Sequence, residues 1–168
     1  MKTRLAALVA FLGLSLALTA QAQSSGSLEP KQLIVVNSSI RGFLDYDEIL
    51  IPGFVISGEA GTVLIRGIGP GLFAHGVQNY LPDPIIQVFD AEGNVIGEND
   101  NWGADYDKRL EIDEAVEAAG AFELVATQSK DAALLITLPA GPYTVSIRSA
   151  TRARGEVLCE IYTVPEED

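Results

Sequence analysis

Asp83, Asp90, Asn99, Asp100 and Asn101 are the residues whose types and spacing most invite chemistry. Hard oxygen atoms gathered at the ends of short apolar runs are what Ca2+ takes, about six to eight of them from carboxylates, amides and backbone carbonyls. Asp105 lies near enough in sequence to join them. The spacing is not that of an EF-hand loop, and Asp and Asn are equally the residues of turns and helix caps, where they bond their own backbone. Ca2+ is therefore a candidate cofactor, with turn chemistry as the competing reading.

A second group lies in apolar, strand-like runs: Arg41, Arg66, Arg148 and Glu160. A guanidinium fork fits a carboxylate bidentately, so a structural ion pair drawn from Arg41, Arg66 and Glu160 is the preferred reading, and a ligand-binding arginine the sharper alternative. His75 is the single histidine, and a Ser-His-Asp triad would have to use it. No nucleophile-elbow sequence is present, and a histidine between Ala74 and Gly76 reads as a solvated loop residue. Carboxylate pairs for glycoside cleavage meet only in the fold, and with 23 acidic residues sequence spacing selects none of them.

The run Gly67-Ile68-Gly69-Pro70-Gly71 resembles a phosphate cradle only superficially. Pro70 has no N–H, no Lys-Ser/Thr pair follows, and Leu72 stands where a dinucleotide fingerprint needs a small residue, so the run reads as a turn. Cys159 is alone, which excludes an intramolecular disulfide framework and a multi-cysteine metal site, and it reads as a small buried apolar residue. Trp102, Tyr46, Tyr80 and Tyr106 are candidates for a sugar-stacking platform, although only Trp102 and Tyr106 are close in sequence.

The elements that must position these groups are strands. Short runs of Val, Ile, Leu, Phe and Tyr, punctuated by Gly, Pro, Asn and Asp, predict strands over Gln32–Phe43, Ile49–Ser57, Thr62–Gly67, Ile85–Asp90, Asn94–Gly97, Ala132–Leu138, Tyr143–Ser149 and Glu156–Val164. Tyr143, Val145 and Ile147 alternate with Thr144, Ser146 and Arg148, the period of a half-buried antiparallel strand. Pro139-Ala140-Gly141-Pro142 and Asp90-Ala91-Glu92-Gly93-Asn94 read as turns, the latter joining two neighbouring strands. Asp107–Ala119, rich in Ala and Glu with Gly120 after it, predicts a short helix crossing between sheets. The fold class is all-β: a two-sheet antiparallel β-sandwich, jelly-roll-like, with one helical crossover.

Met1–Arg4, the apolar run Leu5–Ala20 and the Ala20-Gln21-Ala22 site together read as a secretory signal peptide cleaved after Ala22, leaving no transmembrane anchor. Residues 23–30 read as a flexible leader, 31–164 as one β-sandwich domain and 165–168 as an acidic tail. Cleavage removes Lys2 and Arg4 and changes the formal charge from −12 to −14, with 9 basic against 23 acidic side chains over 146 residues. Such an acid excess argues against a nucleic-acid partner, and an apolar content of 48% argues against overall disorder.

Asn37-Ser38-Ser39-Ile40-Arg41-Gly42, Gly53-Phe54-Val55-Ile56-Ser57-Gly58, Val63-Leu64-Ile65-Arg66-Gly67-Ile68-Gly69-Pro70, Asn99-Asp100-Asn101-Trp102 and Leu138-Pro139-Ala140-Gly141-Pro142-Tyr143-Thr144 follow one another in a specific order. Together with Ser129–Leu134 and Gly155–Tyr162 they resemble an uncharacterised repeat domain of exported bacterial proteins, over nearly the whole mature chain. The resemblance implies a secreted β-sandwich without attached activity, and Arg41, Arg66 and Glu160 are among the shared positions. A weaker likeness is to the pre-peptidase C-terminal domain, a jelly-roll-like accessory module of secreted hydrolases. The expected protein is thus a non-catalytic module with a structural or adhesive role at the cell envelope or outside the cell, its partner an extracellular protein or polysaccharide. The alternative is a secreted hydrolase, or an accessory domain of one, that binds polysaccharide or peptide.

Overall fold

A computed structural model describes residues 37–124 and 126–165 of the chain. The expected signal peptide, the leader, the Gln32–Val36 part of the first strand and the acidic tail beyond Pro165 lie outside the described residues. Among the described residues eight strands form, β1 (Asn37–Leu44), β2 (Gly53–Ile56), β3 (Gly61–Ile68), β4 (Pro84–Phe89), β5 (Val95–Asn99), β6 (Ala132–Leu138), β7 (Gly141–Ser149) and β8 (Gly155–Thr163). They pair antiparallel in two four-stranded sheets, sheet A in the order β1-β8-β3-β6 and sheet B in the order β2-β7-β4-β5. Each step along the chain changes sheet except β4 to β5, which is the connectivity of a jelly roll.

The inter-sheet core is apolar throughout. Val63 and Ile65 of β3, Val157, Cys159 and Ile161 of β8, and Ile86 and Val88 of β4 meet Val145 and Ile147 of β7 there. Gly67 keeps this interface close: a Cβ at that position would stand 3.2 Å from Ile86 Cγ1. β2 is shorter than expected. Pro52 has no N–H for a ladder and serves only as acceptor, from Val145 N at 2.8 Å, so the paired run begins at Gly53 while Leu50 makes an isolated bridge to Ile147.

Sheet A is covered on its other face as well, so β3 is buried without a break from Val63 to Ile68 rather than in alternation. The cover is α1 (Tyr106–Ala118), which connects β5 of one sheet to β6 of the other. Asp105 caps it, accepting from Asp107 N at 3.1 Å and Lys108 N at 3.3 Å. Its end is a Schellman turn: Gly120, at φ +65°, donates to Glu117 O and Ala121 N donates to Val116 O. Ile112, Ala115 and Val116 recur at helical spacing and pack with Leu64, Trp102, Ala133 and Tyr162 in a second core. Among the described residues no helix is long and apolar enough to cross a membrane.

Candidate functional site

The outer face of sheet A is where charge enters the interior. Register places Leu64, Arg66 and Ile68 of β3 opposite Tyr162, Glu160 and Leu158 of β8, and the next strand sets Arg41 opposite Leu158. Arg66 is fully buried and Glu160 nearly so. Nη2 of Arg66 lies 3.1 Å from Glu160 Oε2, within ion-pair range but not aligned as a hydrogen bond, so both atoms and Arg66 Nε lack a hydrogen-bond partner. Nη1 donates to Phe122 O at 2.6 Å, and the Phe122 ring covers the guanidinium at 4.0 Å. Tyr162 donates its hydroxyl to Glu160 Oε1 at 2.9 Å. Burial pulls the Arg66 pKa below its usual value, against the opposing pull of Glu160. Burial, and then the bond to Glu160, push the Tyr162 hydroxyl up to about 12.

Arg41 belongs elsewhere, which corrects its place in the expected ion pair. It points to Glu156, 3.3 Å away, in a largely exposed contact. The reason is register: Ser39, not Arg41, stands opposite Glu160.

Asp131 is the residue that sequence reasoning missed. It is fully buried, and its carboxylate accepts from Gly69 N at 2.7 Å, from Gly71 N at 3.0 Å and from Ser129 Oγ at 2.5 Å. The glycine turn that was set aside as a phosphate cradle thus does hold an anion, one supplied by the chain itself. Gly69 also lets the Leu81 backbone pack against this turn, since a Cβ there would fall 2.0 Å from Leu81 O. The turn continues as a 3-10 helix, Pro70–His75. The available signal was the Ser129-Lys130-Asp131 run among the shared motifs.

The five candidate Ca2+ ligands are not brought together. Asp90 closes the β4–β5 hairpin, accepting from Asn94 N at 2.8 Å, Asn94 Nδ2 at 2.9 Å and Glu92 N at 3.1 Å. Those Asn94 bonds hold its carboxyl below the usual carboxylate range. Asn99 pairs with Ile86, roughly 13 Å along the strand from Asp90, and Asp83 lies roughly 10 Å further on at the usual strand rise. Asn99 Oδ1 accepts from Ala133 N at 3.1 Å, and Asp100 Oδ1 accepts from Asn101 Nδ2 at 2.6 Å. Among the described residues no group of three or more His, Cys, Asp or Glu side chains is arranged to hold a metal ion.

The other candidates are placed as follows. Trp102 is buried in the second core, so the sugar-stacking platform loses its central ring. Tyr106 is exposed beside Arg109, and Tyr46 beside Arg154. Cys159 is buried between the sheets, and desolvation pushes its thiol up to about 12. His75 packs edge-on against Phe122 at 4.9 Å between ring centroids and, among the described residues, bonds no serine or carboxylate. Beside it opens a groove of about 400 Å3 lined by Arg41, Leu72, His75, Val77, Phe122 and Leu158.

Fold and buried cluster together define an all-β jelly-roll sandwich whose internal charges clamp the segment after α1. No family model matches the chain, and no curated protein sequence does either. Among solved structures it is similar to the pre-peptidase C-terminal domain of a collagenase from Bacillus anthracis, with a TM-score of 0.46 and 10% identity over 75% of this chain and 89% of that one.

Proposed function

We propose that this protein is an exported, non-catalytic binding module that acts at the cell envelope or outside the cell on an extracellular protein or polysaccharide. The observation that carries the reading is how the buried polar groups are used. Arg66, Glu160, Tyr162 and Asp131 are turned on one another and on the backbone of the segment they hold down. Groups engaged in this way organise a scaffold, whereas recognition falls to the surface that the scaffold presents. That surface includes Phe43, Tyr46, Ile51, Val55 and Phe73, all more than half exposed. The leader sequence supports the compartment.

The test is fractionation of cells producing the full chain, followed by N-terminal sequencing and cosedimentation with envelope and extracellular polysaccharide fractions. A mature chain beginning at Gln23 that cosediments with one fraction is the expected result. A cytoplasmic chain with its leader intact, or an exported chain that cosediments with neither fraction, overturns the reading. Turnover of ester, peptide or glycoside substrates that survives His75→Ala and tracks a carboxylate pair would establish the hydrolase alternative instead.

A further inference from the structure

We infer that the groove beside Phe122 is a binding site for an aliphatic monocarboxylic acid. The inference deepens the binding-module reading and rests on it. Leu72, Val77, Leu158 and Phe122 give the groove its apolar lining, and the other residues lining it are Arg41 and His75, both nitrogen-bearing. Among the described residues no carboxylate lines this groove, in a chain that carries 23 acidic side chains. An apolar trough with a guanidinium-bearing side chain in its lining is complementary to an apolar body that ends in a single negative charge. Its volume of about 400 Å3 suits a small-molecule ligand.

The trough is held in shape before any ligand arrives. Phe122 is fixed by the Arg66 bond to its carbonyl, by the guanidinium against its ring and by the edge of His75. Leu72 is buried. A wall fixed in this way loses little conformational freedom on binding. Arg41 is the movable part: its contact with Glu156 is a single exposed ion pair, the kind that contributes little and exchanges readily for another carboxylate.

The experiment is a titration of the isotopically labelled protein, purified from cells producing the full chain, with sodium decanoate, decanol, decylammonium and N-acetyl-leucyl-leucine. Decanoate is expected to move the amide signals of Arg41, Leu72, His75, Val77, Phe122 and Leu158, and decylammonium to leave them in place. Arg41→Glu should weaken decanoate roughly tenfold or more while the thermal midpoint stays unchanged, and Arg41→Lys should restore part of the affinity. The inference is overturned if decanol binds as well as decanoate, if Arg41→Glu has no effect, or if the dipeptide binds more tightly, since the site would then read a polypeptide C-terminus. Failure of decanoate with cosedimentation intact removes the ligand and leaves the module. Decanoate binding without cosedimentation does the reverse.

Discussion

The two faces of sheet A are covered by different physical means. Its inner face meets sheet B through an apolar layer that carries no buried charge, whereas its outer face is closed by α1 and by a segment tied down through Arg66 and Asp131. Apolar contact is non-directional, and losing one methyl group from it costs only about 1 kcal/mol. Buried charge is the opposite: each partner needs the other, and removing one leaves an uncompensated group in a dry interior. The inner face should therefore respond gradually to substitution and the outer face abruptly.

Arg66→Ala should show this most strongly. Glu160 is left charged and unpaired and Phe122 loses its anchor, at a cost of about 4 kcal/mol in urea denaturation. Glu160→Gln should also be costly, and replacing both residues by leucine should cost less than either single change. Additive losses would show that the outer face behaves like the inner one. Asp131→Ala should follow at about 3 kcal/mol, because Gly69 N, Gly71 N and Ser129 Oγ lose their acceptor in a buried turn.

Alkaline titration separates the faces differently. Tyr162 on the outer face and Cys159 on the inner face both keep their protons to about 12 when folded, against ordinary values of 10.0 and 9.0. Between the ordinary and folded values the unfolded chain binds fewer protons, so the stability present below pH 9 declines as pH climbs toward 12. The decline is expected to be smaller in Tyr162→Phe and in Cys159→Ala; a flat profile in the native chain would contradict it. Ile86→Val, in the apolar interface, should cost about 1 kcal/mol. Asp47→Ala removes a solvent-facing pair with Arg152 and should change stability by less than about 0.5 kcal/mol.

Local features were legible in the sequence because their causes are local. The Tyr143–Ile147 alternation and Gly120 after α1 each depend on residues a few positions apart, and each reappears in the structure. The order of strands was not legible, since period two says which face a residue takes and nothing about its neighbour in the sheet. The same limit explains Asp131: in sequence it is an ordinary turn aspartate, and its role comes from glycines about sixty positions earlier. The proposed Ca2+ cluster failed to assemble for a related reason. Asp90 and Asn99 flank one hairpin, and nearness along a hairpin places such residues at different levels of the strands.

The position of β8 carries one more consequence. The last strand lies inside sheet A, between β1 and β3, so the first strand has no neighbour in that sheet until residues 155–163 have left the ribosome. The fold cannot close progressively from its N-terminus. A chain of this topology stays open until β8 has emerged and can enter between β1 and β3.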